Sequence, residues 1–79
     1  MAKWLDIGEK IPNLVNLDAC TDFRMAQPVK GKSYIVFYVE DERTAETFEK
    51  NTDYVLDLMQ TIISFIVSDT NYCKLYDEH

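Results

Sequence analysis

Nucleophilic catalysis needs a nucleophile, a base beside it and a third group that orients the base. The one histidine of this chain is His79, its last residue. A frayed terminus does not hold an imidazole in catalytic geometry, so neither a Ser-His-Asp nor a Cys-His site is expected. Paired carboxylates fare no better. Asp18 and Asp22 share a face if their segment is a strand, but four residues at about 3.3 Å each set their backbones roughly 13 Å apart. Glycosidic pairs stand about 5–9.5 Å apart, and the shared face is a solvent face. Asp53 and Asp57, four residues apart, read as like charges on a solvated helix surface. Metal chemistry has no Cys-x-x-Cys, no paired histidine and no calcium loop to work with. At most, Glu40-Asp41-Glu42 offers an adventitious divalent site. Gly8 and Gly31 stand alone, so no glycine-rich loop cradles a phosphate. The expectation is no catalytic residue, no metal ligand and no cofactor: not an enzyme.

Tyr34 and Tyr38 are the remaining chemically expressive pair. Aromatic rings on one strand face can stack nucleic-acid bases, with Lys30 and Lys32 at the adjoining turn to help. The field is wrong for that. The net charge is −6, and it is unevenly placed. Residues 1–39 hold five basic and four acidic side chains; residues 40–79 hold three basic and ten acidic ones. Affinity for nucleic acid rests largely on Lys and Arg contacts to phosphate, so neither direct nucleic-acid binding nor an anionic membrane is expected.

The elements that would position these residues belong to one small domain, residues 1–79. An apolar share of 47%, with five Tyr, four Phe and one Trp, is enough to fill a core. Only Cys20 and Cys73 are present, too few for a disulfide-stapled secreted scaffold. The N-terminus lacks the apolar run of a signal peptide, and the longest apolar stretch, Ile62 to Val67, is far short of the roughly 20 residues that span a bilayer. A cytoplasmic location is expected.

Trp4 to Ile7 reads as a short first strand, and Pro12 bars regular pairing in the connection after it. From Val15 to Met25, apolar residues alternate with polar ones, the period of a half-buried strand. The run is longer than usual, so a bulge or bend partway is expected. Gln27 to Lys32 is a turn with Gly31 free to take positive φ. Tyr34 to Val39 is a strand rich in β-branched and aromatic residues, apolar on both faces. Two readings stay open after the charged turn at Glu40 to Arg43. Thr44 to Glu49 forms a short edge strand and a helix starts at Asn51 or Thr52. Otherwise one helix begins near Thr44, with Ala45, Phe48, Thr52, Val55, Met59, Ile62 and Ile66 in one stripe. The first is favoured, since Asn51-Thr52 is a good cap and a poor mid-helix pair. Either way Asp53 to about Val67 is helical, with Val55, Leu58, Met59, Ile62, Phe65 and Ile66 toward the sheet. Leu56 and Ile63 make the stripe wider than one sheet face needs. Tyr72 to Tyr76 either adds a strand or folds back. The fold class is therefore α+β: an antiparallel meander of three to four strands with one C-terminal helix on one face.

Trp4-Leu5, a short connection, Leu14-Val15-Asn16-Leu17-Asp18, then two strands and a helix resembles a loose group of small uncharacterised bacterial proteins of strand-strand-strand-strand-helix order. That resemblance implies the order of elements and no function.

One helix covers one sheet face, while Tyr34, Val36 and Tyr38 lie on the other. Exposed apolar faces mark interaction sites. The expectation is an interface at Tyr34, Val36 and Tyr38, joined by Trp4, that binds a second copy of the chain as a homodimer or binds another protein. The competing explanation is that Tyr72 to Tyr76 folds over this face. A reading of another class is an acidic inhibitor of the kind phages encode. Its Glu40, Asp41, Glu42, Glu46, Glu49, Asp53 and Asp57 would mimic nucleic acid and fill a basic groove on a nuclease or DNA-binding protein.

Overall fold

The computed structural model describes residues 2–76. Its elements are β1 (Trp4–Asp6), β2 (Leu14–Asn16), β3 (Asp22–Val29), β4 (Lys32–Val39), β5 (Glu42–Glu46), β6 (Lys50–Asn51), α1 (Thr52–Ile66) and β7 (Tyr72–Lys74). They make an α+β fold with two sheets. The larger is antiparallel: β3, β4 and β5 in order, with β6 also beside β4. The smaller runs β2-β1-β7, antiparallel on one side of β1 and parallel on the other. Both sheets and the helix bury side chains in one cluster that holds Leu5, Val15, Ile35, Phe37, Val55, Ile62 and Leu75.

The long alternation from Val15 to Met25 is divided between the two sheets, not bent within one strand. Asn16 starts a turn: its side chain accepts the Asp18 N–H at 3.1 Å and its carbonyl accepts the Ala19 N–H at 3.1 Å. The turn slips the phase by one residue. Ala19, expected inside, is exposed, while Cys20 packs against the core. Alternation resumes in β3 because Phe23 and Met25 face the same shared core.

The two hairpins of the larger sheet turn tightly. Val29 pairs with Lys32 around Lys30-Gly31, and Gly31 has φ +82, so a side chain there would be strained even though the space beside it is open. Strand pairing thus extends into the segment expected to be a broad turn. Val39 pairs with Glu42 around Glu40 and Asp41, both at positive φ, as two-residue hairpin loops of the mirror-image type require.

Residues 42–46 are strand, so the helix does not begin near Thr44. β5 and β6 share one flank of β4, and Thr47 fills the gap between them. Its Oγ1 accepts the Ile35 N–H at 2.8 Å, and its own N–H reaches the Ile35 carbonyl at 2.9 Å. The backbone of β4 is thereby paired where no strand residue lies opposite.

α1 buries Val55, Leu58, Ile62 and Phe65, an i, i+3, i+7, i+10 stripe. Met59 is half-buried, while Ile66, Leu56 and Ile63 are exposed. Ile66 was expected toward the sheet and is not. Asn51 holds the N-cap position without a side-chain cap bond, because its Oδ1 accepts from Lys32 Nζ at 2.9 Å. The first turn is tied to the β3–β4 hairpin through Thr52 N–H to the Gly31 carbonyl, 3.0 Å, and through the Ser33 and Thr52 hydroxyls, 2.8 Å apart. The last turn has no basic residue of its own. Lys3 supplies the charge from the other end of the chain. Its ammonium donates to the carbonyls of Phe65 (3.2 Å), Ser68 (2.7 Å) and Thr70 (2.7 Å) and lies 4.9 Å from the Phe65 ring centroid. A cation among these carbonyls completes the helix end.

Candidate interaction face

Side chains at paired positions of neighbouring strands point the same way. Ile35 and Phe37 face the core, so Tyr34, Val36 and Tyr38 face outward. Register then fills in their neighbours. On the β3 side, Asp22 is opposite Tyr38, Arg24 opposite Val36 and Ala26 opposite Tyr34. On the β5 side, Arg43 is opposite Tyr38 and Glu46 opposite Val36. The core cluster takes in Ile35 and Phe37 but not Val36. Among the described residues, no strand or helix lies over this outer face.

The tail does not supply a roof. Tyr72–Lys74 pairs with β1, and Leu75 and Tyr76 are buried in the core at 4% and 3% exposure. Flanking side chains shield the face in its place. The Arg24 guanidinium sits 4.8 Å from the Tyr38 ring centroid and pairs with Asp22. Arg43 lies opposite Tyr38 and pairs with Glu46 at 3.2 Å. Val36 is consequently only 1% exposed, with Tyr34 and Tyr38 half-buried. The face is a tyrosine row framed by two arginine–carboxylate pairs, not an open greasy patch.

Trp4 is not part of it. Leu5 points into the core, so Trp4 points outward from the smaller sheet, 40% exposed, in register with Asn16 and Tyr72. The acidic residues divide as well. Glu40 and Asp41 form the turn at the Val39 end of β4, with Glu42 next to it. Asp53, in the first turn of α1, and Asp57 lie toward its Lys32 end, where β6 leads into the helix. Eight residues at about 3.3 Å separate these groups by roughly 25 Å. Glu46 lies between them, paired with Arg43. Asp18 is in the β2–β3 turn and Asp22 in β3, so they are not a pair on one strand. His79 lies outside the described residues.

Arg24 and Arg43 were missed as members of the face. The signal was available. A two-residue turn at Glu40-Asp41 folds Arg43 back beside Tyr38, which places the cation once the turn length is known.

Two other polar centres are structural. Asp6, 3% exposed, accepts the Gly8 and Asn13 N–H groups, each at 3.0 Å, and the Tyr72 hydroxyl at 3.3 Å. The Asn13 N–H, with Gly8 and Tyr72 behind it, holds this carboxyl below its ordinary value against the opposing effect of burial. It closes the loop at Gly8, where a Cβ would come within 1.9 Å of the Ile11 carbonyl oxygen. Cys20 and Cys73 are free thiols, and burial pushes both above their ordinary value, which keeps them protonated and unreactive. Among the described residues, no three His, Cys, Asp or Glu side chains gather as a metal would require, and no helix is long and apolar enough to cross a membrane.

The chain matches no protein-family model, no curated protein and no solved structure.

Proposed function

We propose that this chain is a non-enzymatic interaction module whose working surface is the outer face of the larger sheet, binding itself or another protein in the cytoplasm. The observation that carries the reading is the half-buried Tyr34–Tyr38 row, with Arg24 over the Tyr38 ring and Arg43 opposite it, on a face with no element over it. Tyrosine and arginine are the residue types that dominate binding energy at protein interfaces. Tyrosine rings have few rotatable bonds, and Tyr38 is further held by the Arg24 guanidinium, so little side-chain entropy is lost on binding. Two free, half-buried thiols suit a reducing compartment. This reading takes precedence over mimicry of nucleic acid, whose acidic residues are dispersed, with Glu40, Asp41 and Glu42 at one end of β4, Asp53 and Asp57 at the other and Glu46 between them paired with Arg43.

The test is site-specific crosslinking in cells, with a photo-reactive phenylalanine replacing Tyr34 and, as control, replacing Gln60 on the exposed side of α1. A protein adduct from position 34 and none from position 60 is the expected result. No adduct from position 34, or equal yields from both, removes the sheet face as the working surface.

A further inference from the structure

The charges around the tyrosine row form a checkerboard. At the level of Tyr38, β3 carries Asp22 and β5 carries Arg43; at the level of Val36, β3 carries Arg24 and β5 carries Glu46. Reading across the strand order, the signs are minus then plus, and one level on plus then minus. Rotate a copy of this face by half a turn about an axis parallel to β4, and β3 of one copy lies over β5 of the other. Each residue keeps its level. Arg24 then faces the Glu46 position of the copy, and Asp22 faces its Arg43. The two-fold repeats both contacts, so four pairs of opposite sign surround the centre. Along the axis, Tyr34 meets its own copy and the rings can stack offset, while Val36 stays sealed beneath its neighbours and Tyr38 keeps Arg24 over its ring. Lys32 ends the row, but its ammonium leans to Asn51 on the β6 side, and the rotation carries its copy to the opposite side.

A two-fold axis across the strands also brings opposite signs together, Arg24 onto Asp22. It slides Tyr34 off the aromatic row and over the Glu40-Asp41 turn, and it shortens the overlap. Resting on the proposed function, we infer that the partner of this face is a second copy of the chain, docked sheet to sheet with the two β4 strands running in the same direction and Arg24 on the Glu46 of its mate. Sheets packed face to face hold their strands within about 30° of one another, which this geometry satisfies. Three strands about 4.8 Å apart and eight residues at about 3.3 Å frame roughly 15 by 25 Å. That is about 750 Å² over the two copies, below the range of stable complexes, and a weak, transient dimer follows.

Arg24→Glu and Glu46→Arg test it, each checked by circular dichroism for a retained fold. Sedimentation of the unaltered chain should rise from the 9.2 kDa monomer toward twice that mass as concentration climbs to about 500 µM. Each variant alone sets like charges against each other twice and should dimerise at least about 10-fold more weakly. An equimolar mixture of the two restores opposite charges at both contacts and should form a heterodimer. The cross-strand alternative leaves the carboxylate introduced by Arg24→Glu against Asp22 of the second variant and predicts no rescue. A monomer at every concentration, or a mixture no tighter than its components, overturns the proposal. In that event the crosslinker at position 34 separates two failures. An adduct with a different protein sinks only self-pairing; no adduct sinks the interaction face too.

Discussion

Single side chains here are held for geometry, and their removal has a definite sign. Thr47 accepts the Ile35 N–H inside the sheet, and the next residue, Phe48, donates its N–H to the Tyr76 hydroxyl at 3.2 Å. Thr47→Val keeps the volume and leaves the Ile35 donor buried without a partner. A loss of about 1–3 kcal/mol in urea unfolding is expected, with Thr47→Ser recovering most of it. Asp6 has a pH signature. Its native carboxyl ionises at lower pH than the unfolded one, so the unfolded chain binds the extra proton on acidification. The stability it confers is complete above the unfolded value of about 3.9 and is lost as pH falls through the lower native value. Asp6→Asn should flatten the acid limb of a stability–pH curve and lower stability at pH 7 by about 1–3 kcal/mol. An unchanged acid limb would assign that slope to other carboxylates.

At the scale of elements, two junctions stand out. The C-terminus of α1 depends on the Lys3 ammonium, which directs its three protons to three backbone carbonyls. Lys3→Met keeps the stem and removes the charge. It should destabilise by about 1–2 kcal/mol, because charge-assisted bonds and the helix dipole are lost together. Hydrogen exchange at the amides of the last helical turn should quicken more than at Val55 to Leu58. The β4–β5 hairpin places Glu40 and Asp41 at φ 50 and φ 70, where residues with a Cβ are strained. Replacing the pair by Asn-Gly, the preferred chemistry of such turns, should raise stability by about 1 kcal/mol. A drop in thermal midpoint would contradict that loop geometry.

For the whole molecule, the smaller sheet and the tail complete the core. β7 lies parallel to β1, and Leu75 and Tyr76 are inserted among the buried residues. Burying two large apolar side chains is worth roughly 2 kcal/mol each, against a total stability that for a small domain is only about 5 kcal/mol. A chain ended before Tyr72 should lose cooperative thermal unfolding, whereas Tyr34→Ser with Tyr38→Ser should keep the transition and lose self-association. Calorimetry and sedimentation on the same samples check both. If the double tyrosine variant melts as broadly as the shortened chain, the two rings belong to the fold and not to a contact.

Local pattern carried much of this architecture. Period-two runs marked the strands, Gly31 marked a hairpin, Asn51-Thr52 marked the start of the helix, and the i, i+3, i+7 spacing marked its buried side, because these features depend on residues a few positions apart. The doubly apolar β4 was legible for the same reason, as was an outward face at Tyr34, Val36 and Tyr38. Tertiary structure alone decided the rest. It split one alternation into strands of two sheets, since period two does not name the sheet. It also sent Tyr72 to Tyr76 to the core beside β1, separated Trp4 from the tyrosines, and set Arg24 over the Tyr38 ring with Lys3 at the helix end. Each of these joins distant parts of the chain, and only the packing energy of the assembled core selects among the ways of bringing them together.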